Sequence, residues 1–424
     1  MSVAEQNLTD RITYEDLYKR WEQNNWSAMA LDFEADREGW ASLTEMQRKS
    51  AMWVYSMFFF GEDSVADNLS PYIDAAPRED QKYFLATQQV DEARHAVFFH
   101  RFFKEVIEAG DSIASTLAFT EQHLSWGYRQ VFDRLDRMAE ELRRDRSLPK
   151  FAQAITLYHL IVEATLAQPG QHFIEDFFIK DGSMPAFSEG MKNVSRDEQR
   201  HIGFGVKVLS ELIRESDECK AAIDELLTEV MPWTSSVFIP PGWDLEYTRC
   251  FGFEIEDIAE WGIQALEQKW RAIGYPMDEM PPGVIPMDFS LPHRERAEQT
   301  LKLVQAGVIG EPLPPDRVDS SPAVQKLYFD VIARSLDSGA VNGEPFSVQW
   351  KFTDAEPWHV VVDNGSTRAE RGVNPAAQVT LESDWHDFID LGKGAVSPPK
   401  ALVQRKLKVH GGPRNLLRFR KLFG

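Results

Sequence analysis

Three things are scarce in this chain. Cysteine is nearly absent: Cys219 and Cys250 are the only two in 424 residues. Two cysteines make no disulfide framework, and their spacing is not that of a zinc site. This fits a reducing compartment. Long apolar runs are also missing. None reaches the ~18 residues that a membrane-spanning helix requires. The opening residues, MSVAEQNLTDRITYEDLY, are polar and acidic, unlike a signal peptide. The expected location is therefore the cytoplasm. The third shortage is positive charge. With 46 Lys and Arg against 67 Asp and Glu, the net charge is -21, which argues against nucleic acid as a partner. The shortage is uneven, because no acid follows Asp390 and the tail KALVQRKLKVHGGPRNLLRFRKLFG is basic. Such a tail suits an anionic headgroup or membrane surface, or a solvated face of a folded domain.

Apolar bulk is plentiful. Hydrophobic residues make up 43% and aromatics 12%, enough for a sizeable core, and the length suggests two domains. The stretch ASLTEMQRKSAMWVYSMFFFGEDSVADNLSPYI reads as a long amphipathic helix that Pro71 helps to close. The next, REDQKYFLATQQVDEARHAVFFHRFFKEVIEAG, ends at Gly110. Segments 112–143, 150–177, 184–214 and 246–272 read as helix too. Long helices joined by short loops predict an antiparallel bundle. Near residue 275 the texture changes to the proline- and methionine-rich GYPMDEMPPGVIPMDFSLPHRE. The expected division is a helical domain over 1–285, a linker over 286–317 and a second domain over 318–424. In that second domain Ser321 and Pro322 open a helix. FSVQWKFTD, PWHVVVDN and AQVTLES read as strands. Asn364-Gly365 is a hairpin turn signal, and Ser383 is placed to cap a short helix. This domain reads as α+β.

One motif is written twice. DEARHAVFFH begins at Asp91 and DEQRHIGFGV at Asp197. Glu and His three apart share a helix face, so Glu92 with His95, and Glu198 with His201, can each grip a metal ion. One such pair is weak evidence. Glu356 and His359 have the same spacing but straddle Pro357 in a strand-like run, and are read as no metal site. Two further carboxylates give the pairs meaning. Glu62 in FFFGEDSV and Glu163 in LYHLIVEATL lie in apolar surroundings, where an unpaired carboxylate is costly to bury. The order Glu, Glu-x-x-His, Glu, Glu-x-x-His is that of a carboxylate-bridged dimetal site built from four helices. The competing expectation is that these acids pair with Arg94 and Arg200. Asp91 and Asp197 are placed to accept from imidazole N–H groups, or merely to be solvated. Carboxylate and imidazole suit iron and manganese equally, so the expected cofactor is two metal ions per chain, Mn/Fe or Fe/Fe.

From residue 15 to about 215 the chain resembles the ribonucleotide reductase small-subunit superfamily, of ferritin-like fold. WEQNNWSAMALDF, FFFGEDSVADNLSP and LATQQVDEARHAVFF carry the resemblance. The small subunit itself keeps a radical-forming tyrosine one turn after the first Glu-x-x-His, where this chain has Phe99. It also ends in an acidic docking tail, which is not found here. The R2-like ligand-binding oxidases are closer. That group joins a valine three residues after the first metal Glu to a tyrosine five residues before the third, by an ether bond. Val65 and Tyr158 stand at those offsets. The resemblance implies manganese with Glu62, Glu92 and His95, iron with Glu163, Glu198 and His201, and a homodimer. It also implies a fatty acid or other lipid-like ligand in a pocket, with Phe59, Phe99 and Leu166 expected on its walls. Trp26 matches a tryptophan linked to the site through an Asp, here Asp197.

Residues 318–424 resemble the sterol carrier protein type 2 fold, through the order SVQWKFTD, PAAQVTLES, FIDLGKG and ALVQRKLKVHG. Such domains hold apolar ligands; a docking or dimerisation module is the alternative. His359, His386 and His410 are expected to be structural or surface residues. The expected activity is a dioxygen-dependent dimetal oxidase acting on a hydrophobic substrate, with an electron donor that the sequence does not name. Joined domains raise the concentration of bound lipid near the oxidant. The alternatives are an N-oxygenase or desaturase of secondary metabolism, a metal- or ligand-binding protein without turnover, and, more distantly, a true reductase subunit.

Overall fold

The computed structural model describes residues 12–276, 280, 288–341 and 344–422. The opening residues 1–11 and most of the proline- and methionine-rich stretch lie outside the described residues. The chain divides into two compact units, Met1–Met280 and Pro281–Gly424.

Among its described residues the first unit is built from helices. α1 (Tyr14–Gln23) opens on a capping box between Thr13 and Asp16. It is followed by α2 (Glu34–Ser42), α3 (Glu45–Ala75), α4 (Glu79–Phe102), α5 (Ile113–Glu121), α6 (Trp126–Arg144) and α7 (Leu148–Ile155). Then come α8 (Gln168–Asp181), α9 (Pro185–Glu215), α10 (Asp217–Thr234) and α11 (Ile255–Ile273). Every residue of α3 from Ser50 to Phe59 is buried. A helix apolar on all sides belongs at the centre of a bundle, and α3 packs on α4 and α6.

Several local expectations change. α3 runs through Pro71 to Ala75; packing on α4 outweighs the one hydrogen bond that proline removes. The chain after α4 continues as a π-helical turn, Phe103–Ile107, and closes on Glu108 at φ 61°, before Gly110 is reached. The expected helix over 112–143 is two helices, because the Ser125 hydroxyl accepts from the Tyr128 N–H and starts α6 anew. The segment 150–177 contains twelve π-helical residues, Thr156–Ala167. α10 was not anticipated.

In the second unit the stretch expected as a linker contains α12 (His293–Gln305). Leu303, Ala306 and Val308 join that unit's core. α13 (Pro322–Ser335) leads into β1 (Phe346–Phe352), β2 (Trp358–Asp363), β3 (Ser366–Arg371) and β4 (Val379–Ser383). α14 (Trp385–Gly392), α15 (Pro398–Val403), β5 (Lys408–Gly411) and α16 (Pro413–Leu422) complete it. The sheet order is β3-β2-β1-β4-β5, with β1 and β4 parallel and the other pairs antiparallel. Asn364 and Gly365 turn β2 into β3 with φ of 48° and 77°, the positive values that such a hairpin needs. Phe329 of α13 stacks on Trp358 at 5.1 Å, with Trp350 and Phe388 around it. Asp384, one residue after the expected Ser383, caps α14. No helix among the described residues is long and apolar enough to cross a membrane.

Candidate metal centre

Four elements of the first unit converge. Glu62 comes from α3, Glu92 and His95 from α4, Glu163 from the π-helical segment, and Glu198 and His201 from α9. All six are buried, Glu62 the least so at 7% exposure. Ligand atoms of Glu62, Glu92, His95 and Glu198 lie within 4.8 Å of one another, and so do those of Glu92, Glu163, Glu198 and His201. Glu92 and Glu198 belong to both groups. The π-helix explains how Tyr158 and Glu163 reach one face. Its i→i+5 bonding widens the turn, so residues five apart align, whereas at 3.6 residues per turn they would not.

Each imidazole points two ways. His95 Nδ1 faces Glu62, Glu92 and Glu198 at 3.2, 3.3 and 3.5 Å, while its Nε2 lies 3.3 Å from Asp197 Oδ2. His201 Nδ1 faces Glu92 and Glu163 at 3.1 and 3.4 Å, and its Nε2 lies 3.1 Å from Asp91 Oδ2. Each histidine is thus held by the aspartate of the other motif copy. Trp26 donates to Asp197 at 2.7 Å. Trp21, which sequence reasoning missed, does the same to Asp91 at 2.9 Å. Arg94 and Arg200 pair with these aspartates and not with the six Glu and His residues. Gln88 was missed as well. It donates to Glu163 Oε1 at 2.8 Å, and its own carbonyl lies 3.0 Å from His159 Nε2. Gln88 stands four residues before Glu92, and His159 four before Glu163, so the helical one-turn rule was the available signal.

Burial raises the Glu62 and Glu163 carboxyls to about 7. Burial and the neighbouring Glu92 raise the Glu198 carboxyl well above the usual range. Burial works against ionised Glu92 too, but His201 and His95 hold it well below the usual range. The same burial pulls His201 down, and Glu92 and Glu163 reverse this and bring it to about 10. Burial keeps His159 neutral, at about 3. Once their protons are displaced, four buried carboxylates around two neutral imidazoles would carry negative charge that two cations neutralise. Glu163 Oε2 and His201 Nδ1 are buried without hydrogen-bond partners. The residues therefore fit a two-metal cofactor.

A cavity of about 60 Å³ opens on this cluster. Glu62, Glu92, Glu163 and Glu198 form its polar end; Phe58, Phe132, Val162, Leu166, Val237 and Phe238 are among its apolar walls. Val65 and Tyr158 both line it, and the Tyr158 hydroxyl donates to Glu92 at 2.6 Å. Of the three residues expected on its walls, Leu166 is there. Phe59 packs instead on His100 and Phe103, and Phe99 on Phe58.

In the second unit His359 Nδ1 meets the Gly372 carbonyl at 3.1 Å, and Nε2 lies 3.5 Å from Glu370. His410 lies 3.6 Å from Glu382 on the neighbouring strand. Asp384, His386 and Asp387 bring ligand atoms within 4.8 Å of one another. All three are engaged locally. Asp384 accepts from the Asp387 N–H, Asp387 pairs with Lys406, and His386 meets the Leu313 carbonyl.

Residues 9–233, a little over half of the chain, match the family described as ribonucleotide reductase, small chain. The chain belongs to that family. This small-chain family member also shares its fold with solved R2-like ligand-binding oxidases. One, from Sulfolobus acidocaldarius, is 24% identical with a TM-score of 0.53, covering 62% of this chain and 90% of that one. Two others are variants with an Mn/Fe cofactor, reconstituted without air in one and with air in the other. Both are 23% identical, with TM-scores of 0.54 and 0.52, and the comparison covers 62% of this chain and 93% of each of them. At these identities the likeness is one of fold. Residues 315–424 match the family described as alkyl sulfatase C-terminal. That description differs from the expected sterol carrier one.

Proposed function

We propose that this protein is a dimetal-carboxylate oxidase that activates dioxygen to oxidise a hydrophobic, lipid-like molecule. Glu62, Glu92, His95, Glu163, Glu198 and His201 would hold the two ions, Mn/Fe or Fe/Fe. The observation that carries this reading is a pair of buried ligand groups sharing Glu92 and Glu198, at the polar end of an apolar cavity. A reduced, coordinatively open pair supplies the electrons for dioxygen reduction and an oxidant strong enough for a C–H bond.

The chain's own residues do the rest. Asp197 and Asp91 keep the Nε2 protons of His95 and His201, which leaves each Nδ1 to act as ligand. Tyr158 holds its hydroxyl proton against Glu92. The apolar walls exclude water and suit an acyl chain whose carboxylate end would meet the Glu/His cluster. Val65 and Tyr158 line the same cavity as candidates for an ether bond. Its formation would remove the phenolic hydrogen and one valine C–H hydrogen, with dioxygen as acceptor. The second unit would serve as a sterol-carrier-type module that delivers the lipid, within a homodimer.

The test is intact and peptide mass spectrometry of Mn- and Fe-loaded protein before and after air. Loss of two hydrogens and a fused Val65–Tyr158 peptide are expected. With metal in place but no such peptide, the oxidant would be kept for an external substrate, as in an N-oxygenase or desaturase. With a reductant and a lipid substrate supplied, dioxygen uptake that still stops after one equivalent per site would end the enzymatic reading.

A further inference from the structure

After Asp390 the chain carries nine Lys and Arg and none of its 67 acids. The structure shows where part of that charge goes. Leu416 and Phe419 of α16 pack on the core of the second unit, and Leu422 is buried. At 3.6 residues per turn, the opposite face has Leu417 at its centre, and Leu417 is 65% exposed. Its neighbours three and four positions away are Pro413, Arg414, Arg420 and Lys421, all exposed. Among the described residues no ion pair engages Arg414, Arg420 or Lys421. A second patch of the same make-up lies on α15 and the turn after it. There Leu402 and Val403 are exposed, at 47% and 85%, between Lys400 and Arg405. Three of the eleven exposed large apolar side chains of the described residues fall in this short stretch, and Val403 is the most exposed of them all. A merely solvated basic face needs no leucine at its centre. Apolar side chains ringed by cations are the pattern of a helix that lies on anionic headgroups and dips its apolar residues below them.

We propose that α16 docks this protein on an anionic lipid surface. The acidity of the rest of the chain would turn its other faces away from that surface. The partner is identified by complementarity: fixed negative charge over an apolar layer, which free phosphate or nucleic acid does not combine.

Co-sedimentation of the full-length protein with vesicles tests this. One set is phosphatidylcholine containing phosphatidylglycerol, the other phosphatidylcholine alone, each at low and high salt. Binding to the anionic vesicles that falls with salt is expected. Arg414→Gln/Arg420→Gln/Lys421→Gln should weaken it more than tenfold, and Leu417→Ser should weaken it at unchanged charge. All four side chains are exposed, so circular dichroism should show a folded protein in each variant. Equal binding to neutral vesicles, no binding to anionic ones, or a triple variant that binds as the parent does would overturn the proposal. So would salt-sensitive binding to a DNA duplex tighter than to vesicles.

Discussion

His95 and Asp197 come from different copies of the repeated motif, yet Nε2 of one lies 3.3 Å from Oδ2 of the other. Asp197 also takes the Trp26 indole and the Arg200 guanidinium. The crossed pairing ties α4 to α9 across the ligands. Asp197→Asn should keep the shape of the residue but weaken its hold on the imidazole. Affinity for the ion beside His95 should fall roughly 10- to 100-fold. Asp91→Asn should act in the same way on the ion beside His201. Metal titration followed by electron paramagnetic resonance separates the two ions; equal loss at both in either variant would contradict the crossed assignment.

Sharing of Glu92 and Glu198 makes the ligands unequal. Glu198→Ala removes a member of both groups and should abolish stoichiometric metal binding. Glu62→Ala touches one group only and should leave about one ion per chain. Elemental analysis of the purified variants gives the counts.

Metal affinity should rise with pH. In the metal-free fold Glu62 and Glu163 are raised to about 7 and His201 to about 10. All three exceed their ordinary values, so the folded state binds the extra protons. Their contribution to metal-free stability is full below the ordinary values. It is lost as pH climbs, from 4.5 to about 7 for the two carboxyls and from 6.5 to about 10 for His201. Metal must displace these same protons. The gain in melting temperature on adding metal should therefore widen from about pH 5.5 to about pH 8. Calorimetry in buffers of different ionisation enthalpy should register proton release.

The chain Glu163–Gln88–His159 leans on Gly205, where a Cβ would stand 2.3 Å from the His159 Cβ. Gly205→Ala should cost about 1–3 kcal/mol through overpacking. Gln88→Ala should cost a similar amount, about 1–3 kcal/mol, by leaving buried polar atoms unpaired. Thermal melts of metal-free protein measure both. Only Gln88→Ala should also change the spectrum of the metal-loaded protein, since only it frees Glu163 directly.

The six Glu and His residues of the cluster were legible because Glu-x-x-His spacing is a property of one helix face. A carboxylate inside an apolar run announces itself in the same local way. The hairpin at Asn364-Gly365 was legible for the same reason, since its positive φ values are written into the residue types. Trp21 was missed because its role exists only across elements; Gln88 and His159 stand one turn from a ligand, but only packing joins the two to each other and Gln88 to Glu163. The π-helix escaped as well: nothing in TLYHLIVEATLA marks an i→i+5 bond, and packing selects it. β4 lies parallel beside β1, and no adjacent pattern encodes that.

Sequence alone determined the donor types and their order along the chain, the helical texture of the first part and the α+β texture of the second, and the charge of the tail. These follow from periodicity and composition, which act over one or two turns. Tertiary structure alone decided that Glu92 and Glu198 are shared, that each imidazole rests on the other motif's aspartate, and that all four carboxylates line one cavity. Those relations join residues more than a hundred positions apart along the chain, and only the packing of whole helices sets such distances.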